Sequence, residues 1–390
     1  MNRILMLALM ALIICCSKPS EYDIVIKNVS LFDGYEDHGI VTIAINSDTI
    51  AAISSQELLS DSVIDGSGKF IIPGLVNAHV HAASIEHLKQ GYELGIMYLL
   101  NMHTGLETRE QEWKKLSRDS IGYSILYGSG HAATVSGGHP NQFSPEMETI
   151  GDSVSIEQWV DNRIAQNVDY IKIVRDNHEW MGYPPLPTLE YQEIGGIIDY
   201  ASSNGYQTVI HANTVDEVLK IANYKPSGFV HMLDYKEDLP VPDEYYKVLA
   251  DNNIFVVTTG GMSIKSMDEA PPFVKEWVNN NLLKASERAE IIGRMFNEGI
   301  LIVAGTDAQD GQMNFSDDYF LELELYERAG LPNLEILKAA TGNAAKAFDL
   351  PIGVLKIGSQ ANFVLLDENP LDDISNLKTV NQVWKNGKIR

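Results

Sequence analysis

The chain has 390 residues, 45% of them hydrophobic, with 30 Gly and 15 Pro; this composition excludes disordered, collagenous and disulfide-scaffold classes and leaves apolar mass for a sizeable core. With 53 acidic and 29 basic residues the formal charge is -24, which repels phosphate backbones and argues against nucleic acid as a partner. The two cysteines, Cys15 and Cys16, are adjacent near the N-terminus, so a metal held elsewhere must use His, Asp, Glu or a modified Lys.

In chain order, Arg3 is followed by eleven apolar residues, Ile4 to Ile14, far short of the roughly 20 that span a bilayer as a helix. This is the pattern of a secretory signal. Followed by the cysteine pair and the polar SKPSEYD, residues 1–16 resemble a bacterial lipoprotein signal cut before Cys16, which would carry the lipid. Cys15 as the acceptor, or an ordinary cleaved signal with incidental cysteines, is the alternative. The expectation is an exported, membrane-anchored protein facing the periplasm or the cell surface.

Short β-branched runs broken by Asp, Gly, Asn and Ser fill residues 22 to 67, the pattern of antiparallel strands. A similar pattern returns at the end, where Asn386-Gly387 marks a two-residue hairpin turn. The two ends, 22–70 and 350–390, are expected to form one composite β-sandwich domain around a central unit, 71–349. In that unit eight apolar runs alternate with helical stretches: IIPGLVNA, GIMYLLNM, YSILYG, YIKIV, TVIHA, FVHML, IFVVTT and LIVAGTDA. Helices are read at LETREQEWKKLSRD, IEQWVDNRIAQ, LEYQEIGGIIDYA, VDEVLKIAN and LKASERAEIIGRMF. Repeated strand then helix predicts parallel strands, and eight such units predict an α/β fold of the (β/α)8 TIM-barrel class, with its active site at the C-terminal strand ends. An open doubly wound sheet is the competitor, but no glycine fingerprint follows the first strand.

His79 and His81 flank Val80 at the end of the first run. In a strand, residues two apart share a face, so one ion could take both imidazoles, whereas an isolated HxH equally marks two polar loop residues. His211 and His231 are each a lone His in an apolar run, which by itself is as consistent with a core residue as with a ligand. Asp307 follows the eighth run, where it could be catalytic or could cap the next helix. Lys172 falls between Ile171 and Ile173 on a strand buried on both faces. A charged ammonium there needs a partner or a large downward pKa shift, and a neutral amine can add carbon dioxide to become a bridging carbamate; a Lys paired with an Asp is the alternative.

Taken in order, His79, His81, Lys172, His211, His231 and Asp307 resemble the ligand set of the binuclear amidohydrolase superfamily. GKFIIPGLVNAHVH, VSGGHP, IKIVRD, VAGTDA, LELELYERAGL, ILKAATGNAAKAFDL and GSQANFVLLDENPLDDI resemble its imidazolonepropionase-like and prolidase-like members over residues 22 to 390. The resemblance implies two divalent ions, zinc first. His79, His81, the Lys172 carbamate and Asp307 would hold one, and the carbamate with His211 and His231 the other. It implies attack of a metal-bridging hydroxide on a carbon-nitrogen bond of a small amide, dipeptide or cyclic amide. Asp307 would act as base then acid, and His139 in SGGHP would contact the substrate carbonyl.

Two positions depart from the family pattern: Asn362 stands where Asp is usual, and Phe320 where His is common. His103, His131, His178, Trp180 and Tyr183 are further pocket candidates or plain loop residues, and Arg175 could bind a substrate carboxylate or offset Asp176. A lactone or phosphotriester hydrolase is the alternative on the same site, and a catalytically inactive surface binding lipoprotein is the alternative outside enzymes. Oligomeric state has no signature in the sequence.

Overall fold

The computed structural model describes residues 21–389 except 106, 152, 178–183 and 269–270, so residues 1–16, read above as a signal, lie outside the described residues with Cys15 and Cys16, as do His178, Trp180 and Tyr183. Among the described residues no helix is long and apolar enough to cross a membrane.

Five strands open the chain: β1 Ile24–Phe32, β2 Asp37–Asn46, β3 Thr49–Ser54, β4 Val63–Asp65 and β5 Phe70–Pro73. Eight parallel strands follow: β6 Leu75–Val80, β7 Ile96–Asn101, β8 Ile125–Gly128, β9 Ile171–Val174, β10 Thr208–His211, β11 Gly228–Val230, β12 Phe255–Val257 and β13 Ile302–Val303. β14 Phe363–Leu366, β15 Val380–Lys385 and β16 Lys388–Ile389 close the chain. The chain ends share one mixed eight-stranded sheet in the order β16-β15-β14-β5-β1-β2-β3, with β4 on β1. Its apolar face gathers Ile26, Val29, Ile43, Ile71, Phe363 and Trp384, the last two stacked at 5.1 Å. Asn386 and Gly387 both take positive φ, 51° and 70°, as the tight turn between β15 and β16 requires.

The run FIIPGLVNAHVH, read above as a single strand from Ile71, is two. Pro73-Gly74 breaks it, so Phe70–Pro73 pairs antiparallel with β14 while Leu75–Val80 pairs parallel with β7. Only glycine fits at 74, since a Cβ there would lie 2.5 Å from Met97 Cβ. The chain therefore changes sheets at one residue, immediately before the strand that carries His79.

The parallel strands form two sheets, β6-β7-β8 and β13-β12-β11-β10-β9. Backbone hydrogen bonds also run between them: Ala78 N to Ala304 O at 2.9 Å on one side, and Ala133 N to Lys172 O at 2.8 Å on the other. Helices Glu107–Asp119, Ile156–Ala165, Tyr191–Ser203, Val215–Ala222 and Ala285–Asn297 alternate with the strands, and Asp243–Asp251 and Pro272–Asn281 add two that the sequence reading did not name. The helix Asp243–Asp251 is short and starts after a proline, and only Tyr245, Tyr246 and Leu249 of it are buried. The result is a TIM-barrel-like α/β unit.

Lys385 joins the two parts. It is fully buried on β15, and its ammonium donates to the carbonyls of Ser117, Ser120 and Tyr123, where the helix Glu107–Asp119 ends. A cation at a helix C-terminus satisfies carbonyls that have no intrahelical partner. Asn362 does similar work without charge: its amide donates to Tyr98 OH on β7 at 3.1 Å, and its carbonyl accepts from Asn386 N at 2.7 Å. We expect Lys385→Met to lower unfolding free energy by about 2–3 kcal/mol, because buried carbonyls lose a charged donor. Chemical denaturation of the variant beside the parent measures it, and a change within 0.5 kcal/mol, roughly the scale of a neutral surface substitution, would count against this anchoring role.

Candidate metal centre

β6 delivers two imidazoles to the C-terminal end of the parallel strands. His79 is buried within the strand, and His81 lies just past its end on the same face. Their Nε2 atoms are 3.3 Å apart, and Asp307 Oδ1 lies 3.2 Å from the first and 3.1 Å from the second. These three form a cluster whose ligand atoms all lie within 4.8 Å of one another. Burial, reinforced by Lys172 and neighbouring histidines, pushes the His79 pKa well below its ordinary value. A neutral imidazole keeps a lone pair for a cation.

Asp307 reaches this point because the segment after β13 folds tightly against β6. Its backbone is left-handed, φ 57°, and its N–H donates to His79 O at 2.9 Å. Asn77, fully buried two residues before His79, clamps the preceding residue: its amide donates to Thr306 Oγ1 at 2.8 Å, and its carbonyl accepts from Thr306 N at 3.1 Å. Gly305 permits the approach, since a Cβ there would stand 2.4 Å from Val257 Cγ1 and 2.9 Å from His79 N. Asn77 and Gly305 were not singled out from sequence. The signal for Asn77 was the same spacing of two that marked His79 and His81.

The other three predicted ligands face the same region. The His231 ring lies 4.6 Å from that of His79 and 4.3 Å from that of His211, centroid to centroid. His231 sits one residue beyond β11 with φ 143°, a conformation that L residues rarely adopt. Its Nδ1 is 2.8 Å from Thr259 Oγ1, which orients the ring and leaves Nε2 free to act as a ligand. Lys172 is buried on β9, and burial pushes its amine down to about 7, with Asp307 pulling the other way. His211, the last residue of β10, has Nε2 3.5 Å from Asp176 Oδ2. An imidazole and carboxylate set with a depressed amine beside it is the donor chemistry that borderline divalent ions such as zinc take.

His139, on the loop after β8, lies with its ring 5.7 Å from that of His211, and Gln142 Nε2 donates to its Nδ1 at 2.9 Å. His103 and His131, on the loops after β7 and β8, have rings 6.1 Å apart. A cavity of about 840 Å³ is lined by Tyr191, Thr214, Glu217, Tyr235 and Asp176, the last being the residue 3.5 Å from His211, and none of the six predicted ligands lines it; its size is within the range of small-molecule sites. Arg175 also borders it but is already engaged: Nε lies 3.3 Å from Glu217 Oε1, Nη1 donates to Thr188 Oγ1 at 3.0 Å, and the guanidinium covers the Tyr191 ring at 4.1 Å. Phe320 is buried on the helix Tyr319–Arg328 under the Lys378 ammonium, 4.9 Å from the ring centroid.

The chain is similar to several known proteins. A 5-methylthioadenosine/S-adenosylhomocysteine deaminase of Thermoanaerobacter pseudethanolicus is 23% identical, over 88% of this chain and 85% of that protein. An imidazolonepropionase of Fusobacterium nucleatum is 21% identical, over 93% of this chain and 94% of that one. The solved structure of an Xaa-Pro dipeptidase with bound methionine superposes with a TM-score of 0.76 at 17% identity, over 94% of this chain and 99% of that one. The family model described as Amidohydrolase family matches residues 130–390. The chain therefore belongs to the amidohydrolase family and is a hydrolase acting on carbon-nitrogen bonds.

Proposed function

We propose that the chain is a binuclear metal-dependent amidohydrolase that cleaves an amide, dipeptide or cyclic amide bond of a small substrate. The observation that carries the reading is the convergence of His79, His81 and Asp307 within 3.3 Å, with His231, His211 and a buried Lys172 beside them. A deaminase, an imidazolonepropionase and an Xaa-Pro dipeptidase among the similar proteins support a carbon-nitrogen bond as the target. In the same reading the parallel strands close as one (β/α)8 ring, and the shared sheet folds over its apolar face as a sandwich.

His79, His81, Asp307 and a carbamate on Lys172 would hold one ion, and that carbamate with His211 and His231 the other. Bound zinc or a similar ion supplies Lewis acidity, polarising the scissile carbonyl and lowering the pKa of water. Lys172 suits carbamate formation because an amine depressed to about 7 is largely neutral at slightly alkaline pH. Asp307 takes the proton of the attacking water on a carboxylate oxygen and returns it to the leaving nitrogen, giving a carboxylate and an amine. Gln142 holds the proton of His139 on Nε2 by donating to Nδ1, so the ring can donate to the substrate carbonyl oxygen.

The deciding measurement is turnover of N-acyl amino acids, Xaa-Pro dipeptides and imidazolones, with lactones and phosphotriesters alongside, before and after chelation. Hydrolysis of an amide-class member, lost on chelation and regained with zinc at two ions per chain, is expected. Turnover of the lactone or phosphotriester alone, or activity indifferent to chelation, would sink the reading. Lys172→Ala should lower occupancy at both sites, and short carboxylic acids should restore part of the activity by standing in for the carbamate. Full occupancy in that variant, measured by elemental analysis, contradicts a bridging role. For Asn77→Leu, loss of the Thr306 clamp should cost about 10–100-fold in metal affinity or in kcat/KM, and parent-like values in both would show that Asp307 does not depend on it.

A further inference from the structure

His103 has no place in the ligand set or in the proton transfers above, yet the backbone around it is closely held. The segment that carries it is bolted on both sides. Met102 N donates to Val80 O at 3.0 Å and Thr104 N to Gly130 O at 3.1 Å, while Asn101 accepts from Ala82 N at 2.8 Å and donates to Glu110 at 2.6 Å. Ala132 N donates to His103 Nδ1 at 3.2 Å. An amide N–H can only donate, so Nδ1 must be the unprotonated nitrogen and the ring proton must sit on Nε2. That Nε2 is buried and has no hydrogen-bond partner among the described residues.

An N–H left without an acceptor in a buried position carries a desolvation cost that structures seldom leave uncompensated. The groups around it indicate where the acceptor comes from. The bond from Met102 N to Val80 O sets His103 beside the His81 end of β6, and its ring lies 6.1 Å from that of His131, with His81, His139 and Lys172 among the groups that act on it electrostatically. His81 there is committed to Asp307, and the proton of His139 is likewise held on Nε2 by Gln142.

We propose that His103 is a substrate-binding residue whose fixed Nε2–H donates to a carboxylate or carbonyl oxygen of the bound molecule, as a second neutral donor beside His139. This rests on the amide-hydrolase reading and names a requirement within it: the substrate must present an oxygen acceptor to the β7 side of the site. Neutral donors select by geometry instead of net charge, which suits a site where cations would already supply the positive field.

The test uses the metallated chain and benzoate, a carboxylate of the product class, with binding followed by calorimetry, so that no turnover is needed. Glutamine keeps an N–H at about the reach of Nε2, and leucine removes it. The expected result is that His103→Leu weakens benzoate about tenfold or more, that His103→Gln stays within about threefold of the parent, and that both keep the parent's metal content. Nitrogen-15 spectra of histidine-labelled protein should show His103 protonated on Nε2. Parent-like benzoate affinity in the leucine variant, equal losses in both variants, or loss of metal from either would each overturn the proposal. Because affinity, tautomer and metal content are read without catalysis, failure here is distinct from failure of the amide-hydrolase reading, which the substrate panel decides.

Discussion

The seam between β6 and the segment after β13 sets the geometry of the site. His79 O accepts from Asp307 N, Ala78 N donates to Ala304 O, and Asn77 closes on Thr306 from both ends of its amide. These bonds join the first and last parallel strands, some 230 residues apart in sequence, and so fix a carboxylate against two imidazoles. N–H···O bonds cluster near about 2.9 Å and weaken steeply as they bend, so the seam tolerates little drift. Gly305 is the permissive element, because a side chain there would push the Asp307 segment away from His79.

The rest of the fold acts as support for that seam. Gly74 hands the chain from the shared sheet to β6 without a linker, which ties the orientation of His79 to a sheet closed by the chain's last strands. Lys385 and Asn362 then lock those last strands to the helix Glu107–Asp119 and to Tyr98 on β7. Asn362 thereby ties the closing strands to β7, the neighbour of the strand that carries His79. The coupling is one of packing and needs no conformational switch.

Much of this was legible because the barrel pattern is local. Each parallel strand is a short apolar run with a helix after it, and the histidines at the ends of β6 and β10 fall where the chemistry of a barrel mouth expects them. The break at Pro73-Gly74 was not legible, because the eight-residue run IIPGLVNA reads as one strand unless the partner sheets are known. The departure of His231 from β11 was hidden for a related reason: its φ of 143° is imposed by tertiary contacts, with Thr259 holding the ring, and no local propensity announces it. Asn77 and Gly305 act through contacts across the whole barrel, which single-sequence spacing does not reveal. Arg175 looked available as a binding group, but Glu217, forty-two residues on, had already claimed it.

The electrostatics of the mouth show why such a site is held by its surroundings and does not form from its own attractions. His79 and His231 are driven toward their neutral forms by burial and by Lys172 and neighbouring histidines, and burial drives Lys172 on β9 the same way. Without a cation these groups gain little from proximity: their lone pairs face inward, and Asp307 is the carboxylate at their centre. The arrangement is therefore one that the seam and the helix layer must enforce against local preference, as the positive φ at Asp307, His231 and Thr259 indicates. In the proposed function a divalent ion would reverse the balance, since it would take up desolvated lone pairs as ligands and stabilise the folded state that presents them. A scaffold that assembles such groups beforehand needs little reorganisation when an ion binds, which is the kind of preorganisation the proposed function requires.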